Sequence, residues 1–515
     1  MGKQRRTNTS RAPSHPPGEF LTAAEAARQL GVTPSTLRRW IHTGRVPAQR
    51  AGKKWRIRPV DLAGVVEVPT ASPAPTPVSP DVTEEAEACL DALLERAGPG
   101  SPDTLQMVEQ IETSLAGRLA GSDPAVRRLL AKLLLGAVRS MASDLHIEPA
   151  ADRVRVRQRT DGLLMEIAAL PKDMAGPLTT EIMRWAQIDP AVRRLPQDGR
   201  FLVEFGGREI DARVSTMPSV HGTVVALRVL DRQVMLPELD ALGFEPEQFD
   251  RYRDLIHSPN GLILLSGPTG SGKTTTIYRS LSQLNTPDRK IMTAEDPVEY
   301  PFDGMDQAAI DESIGFDFER ALISMLRQAP NIMFIGEIRT GRTAQLLCQA
   351  ALTGHLVFSV LHAPDSLAGV RRLLETGIPP ALLGGALRCV VAQRLVRLVC
   401  PHCKTEHQPT AEELRLLGAE EGAAGSVFYQ GQGCERCNLT GYRGRTAIYE
   451  LLDFTEDMRS AVATYQGDPR QLVDAARRTG YRSLREVALA KLARGETSVE
   501  EVCRETCVPD RAQMI

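Results

Sequence analysis

The run Leu262-Ile-Leu-Leu-Ser-Gly-Pro-Thr-Gly-Ser-Gly-Lys-Thr274 leaves this chain few choices of fold. A short apolar strand empties into a loop of the form G-x-x-x-x-G-K-S/T, and a stretch of helix formers comes next. Gly267, Gly270 and Gly272 let backbone amides turn inward around phosphate oxygens with no Cβ in the way. Pro268, Thr269 and Ser271 complete the loop. Lys273 can reach β- and γ-phosphates, and the Thr274 hydroxyl suits Mg²⁺. Thr275 continues into the helix, whose positive dipole end faces the same anion. A glycine-rich turn alone would not need a Lys-Thr pair at this spacing. The run therefore predicts a site for ATP or GTP, built at the end of a strand.

From Gly261 onward, strands are expected at Leu262–Ser266, Lys290–Ala294, Ile332–Gly336 and Leu356–Leu361, alternating with helices. That alternation implies a mostly parallel sheet covered by helices. Each strand ends in residues with chemistry: the phosphate loop, Glu295-Asp296, Glu337 and His362. Open α/β sheets bind their ligands at this carboxyl edge. Glu337 stands where an acid that orients water and accepts its proton belongs. Among the nearby acids Glu295, Asp296 and Glu299, Glu295 is the functional candidate.

Cys400-x-x-Cys403 and Cys434-x-x-Cys437, with thirty residues between the pairs, have the spacing of a tetrahedral structural zinc site. Four thiolates close the coordination sphere, so no catalysis is expected there. A chain of 515 residues is too long for one core, and its polar start shows no secretory h-region. With nine cysteines, a reducing, cytoplasmic setting and metal or free thiols are expected rather than disulfides. Cys348, Cys389, Cys503 and Cys507 read as packing residues, and His402 as surplus to the four sulfurs.

Upstream, a second α/β module spans about Asp123 to Asp231, with an amphipathic helix at Val126–Met141. Within it, a hairpin turns at Gly206-Gly207. The charge is lopsided: residues 1–58 carry thirteen Lys/Arg against Glu19 and Glu25, and the rest of a chain of net charge −2 is therefore acidic. A basic head on an acidic body points to an anionic partner for the head. Thr22 caps a helix that stops at Gly31, a second helix covers about Thr33 to His42, and Val46 to Pro59 makes a two-stranded wing. This order resembles the excisionase/MerR-type winged helix. The resemblance puts Ser35, Thr36, Arg38 and Arg39 on a recognition helix and Lys53, Lys54 and Arg56 on the wing. Trp40 and Trp55 are expected in its core.

The ordered motifs Ser143–Pro149, Arg194–Arg200, Ile210–Ser215, the phosphate loop, Ala294–Tyr300, Ile335–Arg339 and Leu352–His355 through to His362, closed by the four cysteines, resemble the secretion ATPases of type II secretion and type IV pilus assembly. The resemblance covers about residue 122 to the end. It implies a multidomain α/β protein: a RecA-like P-loop ATPase core behind a PAS-like α/β domain, with an inserted zinc module. The boundaries expected are a disordered tail at 1–18, a winged helix-turn-helix at 19–67, a Pro-rich linker at 68–81 and a helical spacer at 82–121. The PAS-like domain is expected at 122–234, the ATPase domain at 235–395, the zinc module at 396–448 and a helical region at 449–515.

The resemblance also implies arginines that meet the transferring phosphoryl group, Arg213 and Arg228 ahead of Arg200. His355 and His362 would sense the γ-phosphate or couple it to a neighbouring subunit. It implies ATP, Mg²⁺ and Zn²⁺, a homo-hexamer and an inner-membrane platform partner, with DNA or an acidic docking partner for the head. The expected role is an ATP-hydrolysing motor for a type IV pilus or type II pseudopilus. The alternatives are a DNA-uptake motor of the same family and a nucleotide-responsive DNA-binding regulator. Asn331 and Thr340 depart from the acids common in the family.

Overall fold

A computed structural model describes residues 20–29, 37, 41, 46–51, 54–58, 82, 86–88, 91, 103–118, 122–192, 194–232, 236–418 and 427–506. The chain divides into two compact units, Met1–Pro77 and Val78–Ile515.

In the first unit, β1 (Leu21–Thr22), β2 (Gln49–Ala51) and β3 (Lys54–Ile57) form an antiparallel sheet in the order β1-β3-β2. The helix Ala23–Gln29 starts on a reciprocal cap: Thr22 Oγ1 accepts from the Glu25 amide at 3.3 Å, and the Glu25 carboxylate accepts from the Thr22 amide at 2.8 Å. Ala26, Ala27, Leu37, Ile41, Val46 and Ile57 make its core, with Trp55 packed against it as expected. The expected recognition residues Ser35, Thr36, Arg38 and Arg39, with Lys53 and Trp40, lie outside the described residues, as does the side chain of Lys54.

The second unit holds two large sheets. The first comprises β4 (Asp144–Pro149), β5 (Arg153–Thr160), β6 (Leu163–Pro171), β7 (Gln197–Phe205), β8 (Arg208–Ser219) and β9 (Gly222–Asp231). It is wholly antiparallel in the order β6-β5-β4-β9-β8-β7, with first and last strands side by side at its centre. Alternation along the strands puts one face on the helices Pro124–Arg139 and Ala175–Trp185, where Trp185 meets Phe201 edge-on at 5.5 Å. The Gly206-Gly207 hairpin turns with both φ positive, at 56° and 73°. The helical spacer needs correction. In the helix Asp103–Ser114 and the turn after it, Val108, Ile111 and Leu115 fall on one stripe and are buried in this domain's core, so the segment belongs to the domain.

The second sheet contains β10 (Gly261–Ser266), β11 (Ile291–Glu295), β12 (Met305–Ala309), β13 (Ile332–Ile335), β14 (Leu356–Leu361) and β15 (Leu387–Val399). Beyond the short pair β16 (Lys404–His407) and β17 (Phe428–Gly431), β18 (Tyr442–Asp453) completes it. The order is β12-β11-β13-β14-β10-β15-β18, parallel except for β18. Every residue of β10 is buried: Leu262 and Leu264 enter one core, Ile263 and Leu265 the other. A strand covered on both faces has no polar side to show, which explains its uninterrupted apolar run. The expected limits 396 and 448 fall inside β15 and β18, whose pairing runs unbroken apart from one register shift from Cys389↔Asp453 to Val399↔Tyr442. The cysteine insert is therefore residues 400–441. None of the described helices is long and apolar enough to cross a membrane.

Candidate active site and metal centre

The phosphate loop joins β10 to the helix Lys273–Leu284, with Gly272 as its left-handed cap. Gly267, Gly270 and Gly272 have φ of 149°, 80° and 86°. Two of the three are also fixed by crowding: a Cβ on Gly267 would stand 2.6 Å from the Gln393 carbonyl, and one on Gly272 2.7 Å from Gln393 Nε2. β15 thus backs the loop. Lys273 Nζ folds over it, donating to the carbonyls of Gly267 at 3.0 Å and Pro268 at 2.7 Å. Burial, with Arg394 nearby, pushes this ammonium down to about 8, against the pull of Glu337.

Across the same edge, β11, β13 and β14 deliver the acids and a histidine. Thr274, Glu295, Asp296, Glu299, Gly336 and Glu337 help line a cleft of about 130 Å³. Glu337 Oε1 is held by Arg339 Nε, and its Oε2 lies 3.3 Å from His362 Nε2. Burial works against ionisation of Glu337, but Arg339 and then His362 outweigh it and hold the carboxyl below its ordinary range. Arg339 also binds Asp296 at 3.0 Å and Glu312 at 2.7 Å, with its guanidinium 5.4 Å above the Phe318 ring. Glu295 is 3 % exposed and accepts from Tyr278 Oη, from Thr293 at 2.6 Å and from Gln307 at 3.2 Å, so its carboxylate is fixed by three donors.

Arg200, Arg213 and Arg228 stand directly opposite one another on β7, β8 and β9, and so share one face. Burial raises the Glu299 carboxyl, with Arg213 first and Arg228 later among the charges that oppose it, which brings both arginines to this side of the cleft. Arg213 Nη2 is buried without a hydrogen-bond partner among the described residues, and Arg228 Nε lies 3.5 Å from Asp144. Arg200 differs. Both arms of its fork are taken by the fully buried Asp211, a structural pair.

His355 stands apart from His362 within the chain. It precedes β14 while His362 comes after it, and six residues of strand set them roughly 20 Å apart. His355 Nδ1 instead lies 3.0 Å from the Ala350 carbonyl, at the end of the preceding helix. The two departures from the family pattern have local partners: Asn331 Oδ1 accepts from the Lys290 amide at 2.8 Å, and Thr340 caps the next helix.

At the insert, Cys400 and Cys434 Sγ are 3.9 Å apart, Cys403 and Cys437 3.8 Å, and Cys434 and Cys437 3.7 Å. These are far too long for disulfides. A tetrahedron with Zn–S of about 2.3 Å has edges of about 3.8 Å, so the donor set fits zinc. The amides of Cys434 and Gly441 point at Cys437 Sγ at 3.1 and 3.3 Å, which suits a thiolate. His402 lies against Arg436 Nη1 at 3.1 Å and stays outside the sulfur cluster.

Sequence reasoning missed the anchoring roles of Arg339, Tyr278, Gln393 and Arg394. Arg339 stands two residues after Glu337 inside a recognised motif, which was the available signal. Tyr278, on the helix after the loop, and β15, more than a hundred residues on, carry none.

Residues 119–504 match the family profile described as type II/IV secretion system protein, and residues 20–67 match a helix-turn-helix domain. The chain is 43% identical over 391 residues to type II secretion system protein E of Dickeya dadantii, covering 75% of this chain and 77% of that one. It is 40% identical over 399 residues to the type IV pilus assembly ATPase PilB of Thermus thermophilus, covering 77% of this chain but 45% of that longer protein. In fold it is similar to the ATPase DotB of Legionella pneumophila, at a TM-score of 0.53 and 21% identity, over 72% of this chain and 94% of that one. The pilus retraction motor PilT with bound ADP matches at a TM-score of 0.50 and 22% identity, over 73% and 97%.

Proposed function

This chain belongs to the type II/IV secretion system protein family, and on that premise we propose that it is an ATP-hydrolysing motor that drives assembly of a type IV pilus or a type II secretion pseudopilus. The observation that carries the reading is convergence on one sheet edge: Lys273 and Thr274 from the end of β10, Glu337 from β13 and His362 from β14. Lys273 and the inward amides bind the phosphates. Glu337, held by Arg339 and His362, orients water and accepts its proton, while Arg213 and Arg228 bring positive charge from the antiparallel domain. Mg²⁺ bound at Thr274 would add charge neutralisation on the phosphates. Zinc on the four cysteines would hold the insert closed.

The assembled form proposed is a cytoplasmic homo-hexamer at the inner face of the membrane, docked on a platform protein. A Glu337→Gln chain, able to bind but not turn over ATP, should retain that platform protein on purification from membranes. Recovery of no membrane partner under conditions that preserve the hexamer would count against the motor role.

The helix-turn-helix match favours a second reading of the head, in which DNA or an acidic protein docks on its basic surface and nucleotide regulates the output. Deleting residues 1–80 separates the two: a motor keeps its ATPase and a regulator loses its output. A DNA-uptake motor would differ in cargo and share all of this chemistry.

A further inference from the structure

Two cations, not one, sit at the phosphate loop. β15 runs parallel to β10 and continues past it: Ala392 pairs with Ser266, the last residue of β10, so Gln393 and Arg394 lie beside the loop itself. A Cβ on Gly267 would stand 3.2 Å from Arg394 Nη1, which places the guanidinium against the first glycine of the loop. Its Nη1 donates to the Gln393 carbonyl at 3.0 Å and its Nη2 to the Pro364 carbonyl at 2.7 Å. Among the described residues no carboxylate lies within ion-pairing distance of it. Lys273, on the other flank, is in the same position: its partners are two carbonyls and, at 3.5 Å, Ser271 Oγ.

Neutral acceptors do not compensate buried positive charge, and like charges in a desolvated site oppose each other. Burial pushes the Arg394 guanidinium down from its ordinary value, outweighing the more distant Glu505, Glu450 and Asp365, and Arg394 in turn helps push down Lys273. Tying β15 to the segment after β14 through the Pro364 carbonyl would need only a neutral amide. A guanidinium there adds a half-buried charge and a donor fork, and an anion shared with Lys273 would offset both.

We propose that Arg394 is a second phosphate-contacting cation of the nucleotide site, meeting the polyphosphate from the β15 flank while Lys273 meets it from the helix flank. This rests on the nucleotide-site reading above. Arg394 also bonds β15 to Pro364, just beyond His362, so it touches the segment that carries the Glu337 partner.

The test is equilibrium titration of the full chain with ADP and, as the phosphate-free control, adenosine, beside melting of the nucleotide-free protein. Arg394→Gln should weaken ADP binding about tenfold or more, the loss of a charge-assisted hydrogen bond. Adenosine binding should not change, and Arg394→Lys should recover part of the loss. The nucleotide-free melting temperature should hold or rise, because repulsion on Lys273 is relieved. Unchanged ADP affinity in Arg394→Gln overturns the inference. So does an equal loss for ADP and adenosine with a lowered melting temperature, which marks a loop strut. Failure of the unaltered chain to bind ADP would instead bring down the site reading and this inference with it.

Discussion

The two halves of the seven-stranded sheet do different work, one built of parallel strands and the other of a long antiparallel pair. In the parallel half, β10, β11, β13 and β14 stop at a common edge, and each delivers a side chain with chemistry at or just beyond its end: Lys273, Glu295, Glu337, His362. In the other half, β15 points the same way but does not stop. It runs seven residues past its pairing with Ser266, about 23 Å of extended chain, and returns as β18. The arm puts Gln393 and Arg394 beside the phosphate loop and the four cysteines at its far end. Where strands end together, polar groups converge on one small cleft. Where one pair overruns, it packs on a small core of its own, Val396 and Ile448 against the helices Leu484–Ala493 and Val499–Thr506, and the four sulfurs stand beyond its tip.

The contrast predicts that the halves fail independently. Purified protein should hold about one zinc per chain, and changing Cys400 and Cys434 to Ser should release it and open residues 400–441 to proteolysis. This is the largest structural effect expected, since structural zinc contributes about 10–16 kcal/mol of folding free energy in small metal-bound peptides. Nucleotide affinity should nonetheless survive. A freshly reduced preparation without zinc on metal analysis would remove the insert's half of the comparison.

A second perturbation strikes the contact between the halves. Gly267→Ala drives a Cβ to 2.6 Å from the Gln393 carbonyl at a φ of 149°, and should destabilise by about 1–3 kcal/mol while weakening nucleotide binding. Wild-type melting and affinity in that variant would mean that β15 does not back the loop.

The pH dependence sharpens the parallel half alone. Glu337 must be ionised to accept a proton, and Arg339 and His362 hold its carboxyl below the ordinary range. The acidic limb of hydrolysis should therefore lie low, activity being lost only as pH falls through that depressed value. Arg339→Gln removes a stabilising charge and should move the limb to higher pH, with nucleotide binding retained. A profile that does not move would separate Arg339 from the base.

The smallest effect expected lies outside the sheet. Thr22→Ala removes the reciprocal cap with Glu25 and should lower the stability of the head by about 1 kcal/mol without touching hydrolysis.

The parallel half was legible because its strands are short and apolar and lead at once into the residues that matter, so period and motif coincide. The overrunning half was not. β15 and β18 are joined by pairings 43 to 64 residues apart in sequence, and no local pattern announces that Val390 and Leu452 are neighbours. The expected boundaries 396 and 448 accordingly cut through both strands. The same limit hid Arg394 and the Tyr278–Glu295 bond, which rest on tertiary approach alone. His355 and His362 look equivalent in a motif, and only the six residues of rise between them show that they stand at opposite ends of β14. The row Arg200–Arg213–Arg228 was legible as arginines, but only the register shows that they share a face and that Asp211 claims the first.

The proposed function divides binding from chemistry along one edge, with Lys273 to meet phosphate in the ground state and Glu337 to act on water in the transition state. That division is tested most directly by measuring ATP binding and phosphate release together in Lys273→Ala and Glu337→Gln. Lys273→Ala should lose both, whereas Glu337→Gln should bind ATP as the unaltered chain does and release phosphate about 10²–10⁴-fold more slowly. Full turnover by Glu337→Gln, or undiminished binding by Lys273→Ala, would contradict it.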